Sequence, residues 1–504
     1  MKLITSSKMR EVDRKADEMG IKTSYLMERA GRGVAEEVRK ALGGVSGKRG
    51  IVFVGPGNNG GDALVCARYL HDWGCEILIF MTRRKEDENL RLVRERGIRF
   101  INTSELRDEI RRADFLVDGF FGTGKLRPLE GEVKEALLIA RENKKLTIAI
   151  DLPSGLDADT GEYDPATLPA DITVTLACPK EGLYKFPGAG IRGEVIVKDI
   201  GIPESLLRDI ETELLDPSLI RSLLPERPLD AHKGTFGRLL VISGSKNYIG
   251  AAYLACMGAI RCGTGLVTLA TPDSIHPILA SKLTEATHIP LPDEDGYLKK
   301  EASKLVLDEI KNFDALVIGC GLSLRGEVVD FIREVLFSLP EDFPVLIDAD
   351  ALNTLSATDG WEEKIKAKAI LSPHPGEMSR LTGLKTADIQ KRRFEVARDF
   401  SKRWNKTLVL KGAFTVVAYG EKLRVSPFSN PGLASGGTGD VLAGIIGGFL
   451  AQGIEPFDSA SLGVYIHALS GERVKNKLGD QGMMASDLLP EIPKVIKHLK
   501  SGDG

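Results

Sequence analysis

The segment Asn430-Pro431-Gly432-Leu433-Ala434-Ser435-Gly436-Gly437-Thr438-Gly439-Asp440 joins bare backbone to a carboxylate. It runs straight into Val441 to Leu450, a stretch apolar on every face that reads as a buried helix. Glycines before a helix let free N–H groups approach a ligand, and the helix dipole favours an anion there. An aspartate at that same helix start could take a proton from a hydroxyl attacking a phosphoryl group. The bland alternative is a tight turn capped by Asp440. Three other segments add chemistry. Lys411-Gly412-Ala413-Phe414-Thr415 follows a strand and offers a cation beside a flexible loop, or else a surface turn. His374-Pro375-Gly376-Glu377 also follows a strand and offers an imidazole and a carboxylate, or else a rigid turn. Asp348-Ala349-Asp350 ends another strand; the pair is either solvated or able to hold Mg²⁺ through water.

A second group lies in the N-terminal half. Gly55-Pro56-Gly57-Asn58-Asn59-Gly60-Gly61-Asp62 stands between a strand and a helix. It is not the G-x-G-x-x-G dinucleotide fingerprint. It still presents amides and a helix N-terminus to a phosphate, with two side-chain amides to read polar groups. The alternative is an Asn-Gly turn with Asp62 as the helix cap. Two further strands end in Asp118-Gly119-Phe120-Phe121-Gly122-Thr123-Gly124 and in Asp151-Leu152-Pro153-Ser154-Gly155. Neighbouring parallel strands would carry Asp118, Asp151 and the Asn58–Asp62 segment to one sheet edge. The oxygens there suit a hard cation.

The elements that must position these groups alternate. Expected strands are Ile51–Val54, Glu76–Phe80, Phe115–Val117, Leu146–Ile150, Ile172–Leu176 and Val195–Val197. In the C-terminal half they are Arg238–Ile242, Leu266–Ala270, Ala315–Ile318, Pro344–Ile347, Ala369–Leu371 and Thr407–Leu410. A small hairpin is expected at Val416–Tyr419 and Lys422–Val425. Continuous apolar strands separated by helices imply parallel sheets covered on both faces, an α/β fold. Ser6 to Gly43 reads as two helices broken near Gly20, and a helix is expected over Ala63–Trp73. The length of 504 residues calls for at least two cores. Prolines at Pro217, Pro225 and Pro228 mark the join, giving domains 1–215 and 216–504.

The net charge of −3 gives no footprint for nucleic acid or an anionic membrane. No apolar run approaches a membrane span or a signal peptide core. The six cysteines have no CxxC spacing and sit in apolar contexts, so buried, reduced thiols are expected. A cytoplasmic enzyme acting on small molecules is the expectation.

The C-terminal strings resemble the ribokinase-like superfamily, with Gly437-Thr438-Gly439-Asp440 matching its anion hole and catalytic aspartate. Within it, His232-Lys233-Gly234-Thr235-Phe236-Gly237, His374–Glu377 and Asn430–Asp440 are similar to the ADP/ATP-dependent NAD(P)H-hydrate dehydratases. Sugar kinases of the superfamily usually carry N-x-x-E where His374-x-x-Glu377 stands, which argues against a plain sugar kinase. The N-terminal strings, with Met9–Arg14 and Leu26–Gly31, resemble the NAD(P)H-hydrate epimerase domain. The whole chain thus resembles the bifunctional NAD(P)H-hydrate repair enzymes.

That resemblance implies a Rossmann-like three-layer α/β/α domain followed by a ribokinase-like α/β domain. It implies that Asp151 is the acid/base of the epimerase and that Asn59, Asp118 and Ser154 bind K⁺. The hydrated dinucleotide would be held by Asn58, Asn59, Gly60, Gly61 and Asp62. Gly122, Thr123, Gly124, Lys125, Leu126, Arg127 and Pro128 would join them. In the dehydratase it implies Asp440 as the catalytic residue. Gly321, His374, Pro375, Gly376, Glu377, Met378, Ser379 and Arg380 would line the hydrate pocket. Lys411, Gly412, Ala413, Phe414 and Thr415 would bind the nucleotide with Asn430 to Gly439. The substrates implied are NADHX and NADPHX; the co-substrate is ADP, with ATP as the alternative, and Mg²⁺ accompanies it. A homo-oligomer is expected by analogy. The rival reading is a ribokinase-like small-molecule kinase with a non-catalytic, nucleotide-binding N-terminal domain.

Overall fold

The computed structural model describes residues 1–123 and 128–502. The chain divides into two compact units, Lys2–Thr212 and Glu213 onward, the latter including Met1. The apolar clusters respect that division. One gathers residues between Leu215 and Leu499, and the others gather residues between Ile4 and Ile210.

The first unit is built on strands β1 (Arg49–Val54), β2 (Glu76–Met81), β3 (Arg99–Ile101), β4 (Phe115–Gly119), β5 (Leu146–Ile150), β6 (Ile172–Leu176) and β7 (Glu194–Lys198). They form one parallel sheet in the order β3-β2-β1-β4-β5-β6-β7. The reversal of direction between β1 and β4 opens a crevice at the carboxyl ends of those strands. Ile51 to Val54 are all buried, as a strand covered on both faces requires. Helices Ser6–Glu18 and Thr23–Ala41 precede the sheet, broken at Gly20 as expected.

One boundary is corrected. The helix after β1 runs Asn58–Asp72, not from Ala63, and its N-cap is Gly57 rather than Asp62. The Asn-Asn-Gly-Gly-Asp string is therefore the first turn of a helix. Glycine at 60 allows it: a Cβ there would meet the carbonyl oxygen of Gly55 at 2.0 Å.

At the boundary between the units stands β8 (Thr212–Leu214); in the second unit β9 is Arg238–Ile242, β10 Leu266–Pro272 and β11 Thr287–Leu291. A two-stranded ribbon follows, β12 (Asp293–Glu294) and β13 (Tyr297–Leu298). Then come β14 (Ala315–Ile318), β15 (Pro344–Ile347), β16 (Lys368–Leu371), β17 (Thr407–Leu410), β18 (Val416–Tyr419) and β19 (Lys422–Val425). The main sheet has the order β11-β10-β9-β14-β15-β16-β17-β18-β19-β8. It is parallel from β11 to β17 and turns antiparallel at the hairpin β18–β19. The sheet is thus mixed, and its crevice lies between β9 and β14.

The apolar stretch after Asp440 is a helix, Thr438–Ala451, buried along nearly its whole length. Its glycines lie where other elements press closest. A Cβ at Gly444 would stand 2.0 Å from the carbonyl oxygen of Ala255 on helix Ile249–Arg261. One at Gly447 would meet Val317 of β14 at 2.1 Å. Low helix propensity is accepted here in return for close approach. All six cysteines are buried and free. Among the described residues no helix is long and apolar enough to cross a membrane.

Candidate active sites

In the first unit a cavity of about 690 Å³ opens at the switch point. Its apolar wall includes Leu26, Phe120, Leu129 and Leu176, and its polar wall includes Asp13, Asn59, Asp62, Asp151 and Lys180. Asp151 and Lys180 come from strand ends, and Asp13, Asn59 and Asp62 from helices. Asp118 is inside β4, paired in register with Phe53 and Ala149, and is wholly buried. Ser154 donates its hydroxyl to Oδ1 of Asp118 at 2.6 Å and its amide to Oδ2 at 2.8 Å. The amide of Phe121 donates to Oγ of Ser154 at 2.9 Å. Burial nevertheless pushes the Asp118 carboxyl above its ordinary value, so a cation beside it would be stabilising.

Asp151 follows β5 with φ of 67°, a left-handed conformation uncommon for a non-glycine residue. Its Oδ1 accepts from the hydroxyl of Thr175 at 3.2 Å and from the amide of Leu176 at 3.1 Å. Lys180, only 1% exposed, forms an ion pair with the same oxygen. The other oxygen, Oδ2, lies 3.3 Å from where a Cβ on Gly122 would stand, and Oδ1 of Asn59 lies 3.0 Å from that point. Asn59 and Asp151 therefore converge on one corner of the cavity. The amide nitrogen of Asn59 is buried without a hydrogen-bond partner among the described residues, a donor that a ligand can satisfy. Asp62 is buried as well. Desolvation, then the charge of Asp151, hold its carboxyl well above the usual range, partly offset by Arg84.

In the second unit the candidate groups meet at the carboxyl ends of β14 to β17. Lys411, leaving β17, pairs with Asp348 Oδ1, at the end of β15, at 2.6 Å and with Glu377 at 3.8 Å. Asp440 is the third residue of helix Thr438–Ala451, whose N-cap is Gly437 with φ of 90°. Asp440 is therefore not the cap, and its carboxyl is left for chemistry. Burial first, then the charge of Asp348, push its pKa up to about 6, with Cys320 and Lys411 partly offsetting. A Cβ on Gly439 would stand 3.8 Å from Nζ of Lys411, so the cation faces the glycine turn. His467, buried, hydrogen-bonds through Nε2 to the carbonyl of Thr438 at 2.9 Å and braces that turn. Burial brings its pKa down to about 4.

Residues 239–494 match the family model described as NAD(P)H-hydrate dehydratase, and residues 23–182 match that of the YjeF-related protein N-terminus. The chain is 39% identical to the bifunctional NAD(P)H-hydrate repair enzyme Nnr of Moorella thermoacetica, over 99% of this chain and 97% of that protein. It belongs to the bifunctional NAD(P)H-hydrate repair enzyme family. The enzyme of the same name from Coxiella burnetii is 34% identical over 98% of this chain and 99% of that one. Among solved structures, the ADP/ATP-dependent NAD(P)H-hydrate dehydratase from Bacillus subtilis, co-crystallised with ATP/Mg²⁺, aligns with a TM-score of 0.50. It is 33% identical and covers 57% of this chain and 98% of its own.

Other expected residues fall as follows. His374 is the N-cap of helix Pro375–Thr382, and its Nδ1 accepts from the amides of Gly376 at 3.0 Å and Glu377 at 3.3 Å. Glu377 is buried beside Lys411, and burial raises its carboxyl above the ordinary value. Met378 is fully buried, Ser379 donates its hydroxyl to the carbonyl of Leu384 at 2.6 Å, and Arg380 bonds Asn353 at 2.7 Å. Gly321 adopts φ of 64° against Tyr248, where a Cβ would clash at 2.6 Å. Phe414 has φ of 51° and Thr415 bonds the carbonyl of Gly412 at 2.8 Å. Asn430 accepts from the amide of Gly432 at 2.9 Å, opening the turn Pro431–Leu433. Gly122, Thr123 and Pro128 line the N-terminal cavity. Gly124, Lys125, Leu126 and Arg127 lie outside the described residues.

Asp348 and Asp350 do not act as a pair. Asp348 engages Lys411, while Asp350 accepts from the amide of Ser323 at 2.8 Å. Sequence reasoning missed Asp13, Lys180, Cys320 and His467. Lys180 was reachable by the same strand-end logic, since Cys178-Pro179-Lys180 lies just past β6. Asp13 and His467 sit on helices and carried no such signal.

Proposed function

We propose that the two units divide the repair of hydrated NADH and NADPH. The first interconverts the R and S epimers, and the second dehydrates the S epimer with ADP, releasing AMP and phosphate. The observation that carries the second half is Asp440, in the first turn of a buried helix and facing Lys411 and Asp348, with a pKa pushed up to about 6. Hydroxide is a poor leaving group. Phosphorylating the ring hydroxyl makes a good one, and elimination then restores the dihydronicotinamide. Asp440 takes the proton of that hydroxyl, and a base near neutrality suits the task. The amides of Gly436 to Gly439 hold the phosphoryl group; a preorganised donor of this kind is worth roughly 3–4 kcal/mol. Lys411–Thr415 and Asn430–Gly439 bind the nucleotide, and Gly321 and His374–Arg380 line the hydrate pocket.

Mg²⁺ enters on the nucleotide phosphates in this reading. Among the described residues no three His, Cys, Asp or Glu side chains cluster as a metal site, and Mg²⁺ is commonly carried this way. In the first unit the donor set of Asn59, Asp118 and Ser154 fits K⁺: all oxygen, buried, and with a single formal charge. That cation would supply a fixed positive charge to order the loop ends and the substrate oxygens around them. Asn58–Asp62 and Gly122–Pro128 hold the dinucleotide, and Asp151 is the acid/base.

The test is absorbance at 340 nm with mixed-epimer NADHX, K⁺ and Mg²⁺, with ADP or ATP in separate cuvettes. Full recovery of NADH supports both halves and names the donor. Recovery that stops at the S fraction removes the epimerase. A stable phosphorylated product without NADH would instead indicate a small-molecule kinase.

A further inference from the structure

The ion pair between Asp151 and Lys180 extends this account. Lys180 lies beyond the end of β6 and is sealed from solvent. Its ammonium donates to the carbonyl of Leu176 at 2.9 Å, reaches Oγ1 of Thr175 at 3.4 Å, and pairs with Oδ1 of Asp151. Three donors from β6 and its exit thus meet one carboxylate oxygen: the Thr175 hydroxyl, the Leu176 amide and the Lys180 ammonium. The second oxygen, Oδ2, is turned toward Gly122 on the cavity wall, beside Oδ1 of Asn59. A carboxylate held by one oxygen presents the other in a single orientation. A buried ammonium is costly unless paired, so its place here is tied to Asp151.

We infer that Lys180 is the positioning residue of the N-terminal centre, fixing Asp151 so that Oδ2 receives the proton of the water that adds to the substrate ring. The inference rests on the reading of this cavity as the epimerase site. Inversion at a carbon bearing a hydroxyl can run through loss and re-addition of water. In the first half the C–O bond breaks with its electron pair on oxygen, a proton joins that oxygen, and the ring nitrogen's lone pair forms C=N. The proton comes from a neutral carboxyl, and Asp62, buried in the same cavity, is placed to give it. In the second half water bonds to the carbon from the opposite face and the C=N pair returns to nitrogen. The surplus proton passes to Oδ2 of Asp151. One proton is given and one taken; Asp151 then releases its proton to the water of the cavity and Asp62 takes one back, which restores both carboxyls for the next turnover.

The experiment compares Lys180→Met, Lys180→Arg, Asp151→Asn and the Lys180→Met/Asp151→Asn double variant in the full chain. Recovery of NADH from the R epimer reports epimerisation, and recovery from the S epimer is the internal control. Lys180→Met is expected to lower kcat for the R epimer roughly 100-fold with KM little changed. Lys180→Arg should restore much of it, and the double variant should be no slower than Asp151→Asn alone. Additive losses in the double variant, or an unimpaired Lys180→Met, would overturn the inference. If Lys180→Met does not fold, the Lys180→Arg and Asp151→Asn pair still decides: Lys180→Arg as slow as Asp151→Asn would also overturn it. A wild-type chain without R-epimer recovery would instead remove the epimerase reading itself.

Discussion

Asp440, the base proposed for dehydration, has an environment that argues for its reactivity and against the stability of the fold. Its folded-state pKa of about 6 stands above the ordinary 3.8. A base must be ionised to act, so kcat/KM for dehydration should rise with pH through an acidic limb centred near 6. A limb near 4 in a pH–rate profile would show that burial does not tune this group. The linkage runs the other way. The native state keeps a proton that the unfolded chain loses between pH 4 and 6, so the group's contribution to stability is lost as pH rises through its folded value. Asp440→Asn should therefore unfold later than wild type at pH 8, by up to about 3 kcal/mol, and no later at pH 4. Thermal denaturation at the two pH values checks this. Asp440 and Asp151 were legible as candidates because each ends a strand or opens a helix beside glycines. Lys180 stood just past a strand end, but its pairing with Asp151 was not legible, and His467 carried no signal at all, because what each holds is joined to it by the fold and not by local sequence.

At the scale of elements, hydrophobic runs located the strands almost to the residue. β5, β6, β9, β14, β15 and β17 fall where their runs of apolar and β-branched residues begin and end, because a strand buried on both faces carries few polar groups, threonines such as Thr173 and Thr175 apart. The edge strands β3, β8 and β11 were not legible, being short or half exposed. The start of helix Asn58–Asp72 was missed because two asparagines and two glycines read locally as a turn. Tertiary contact overrules that preference: Gly60 and Gly31 let the helix close onto the Gly55 turn and onto helix Thr23–Ala41. The same device on helix Thr438–Ala451 gives a sharp prediction. Gly444→Ala gains about 1 kcal/mol of helix propensity, yet its methyl would lie 2.0 Å from the carbonyl oxygen of Ala255. Backbone cannot give way as a side chain can, so the substitution should cost at least about 2 kcal/mol net. It should also displace the Gly436–Gly439 turn. Thermal unfolding and S-epimer dehydration should both suffer, and an unchanged melting temperature would refute the packing argument.

At the scale of the whole molecule, two sheets carry two sites, the first at the switch point of its parallel strands and the second along the carboxyl ends of β14 to β17, each over its own apolar clusters. The alternation of buried strands and helices made two α/β units legible. The hairpin β18–β19 makes the second sheet mixed, and no local pattern announces its pairing with β17. Since each site draws its residues from a single unit, a substitution in one should leave the chemistry of the other intact. Asp440→Asn should abolish dehydration and spare epimerisation; Asp151→Asn should do the reverse. Mixed in one cuvette with ADP and mixed-epimer NADHX, the two variants should together recover all the NADH, because the hydrate released by one site can diffuse to the other. Recovery limited to the S fraction would mean that hydrate must pass within one molecule. That outcome would require the two units to act as a single machine rather than as two enzymes on one chain.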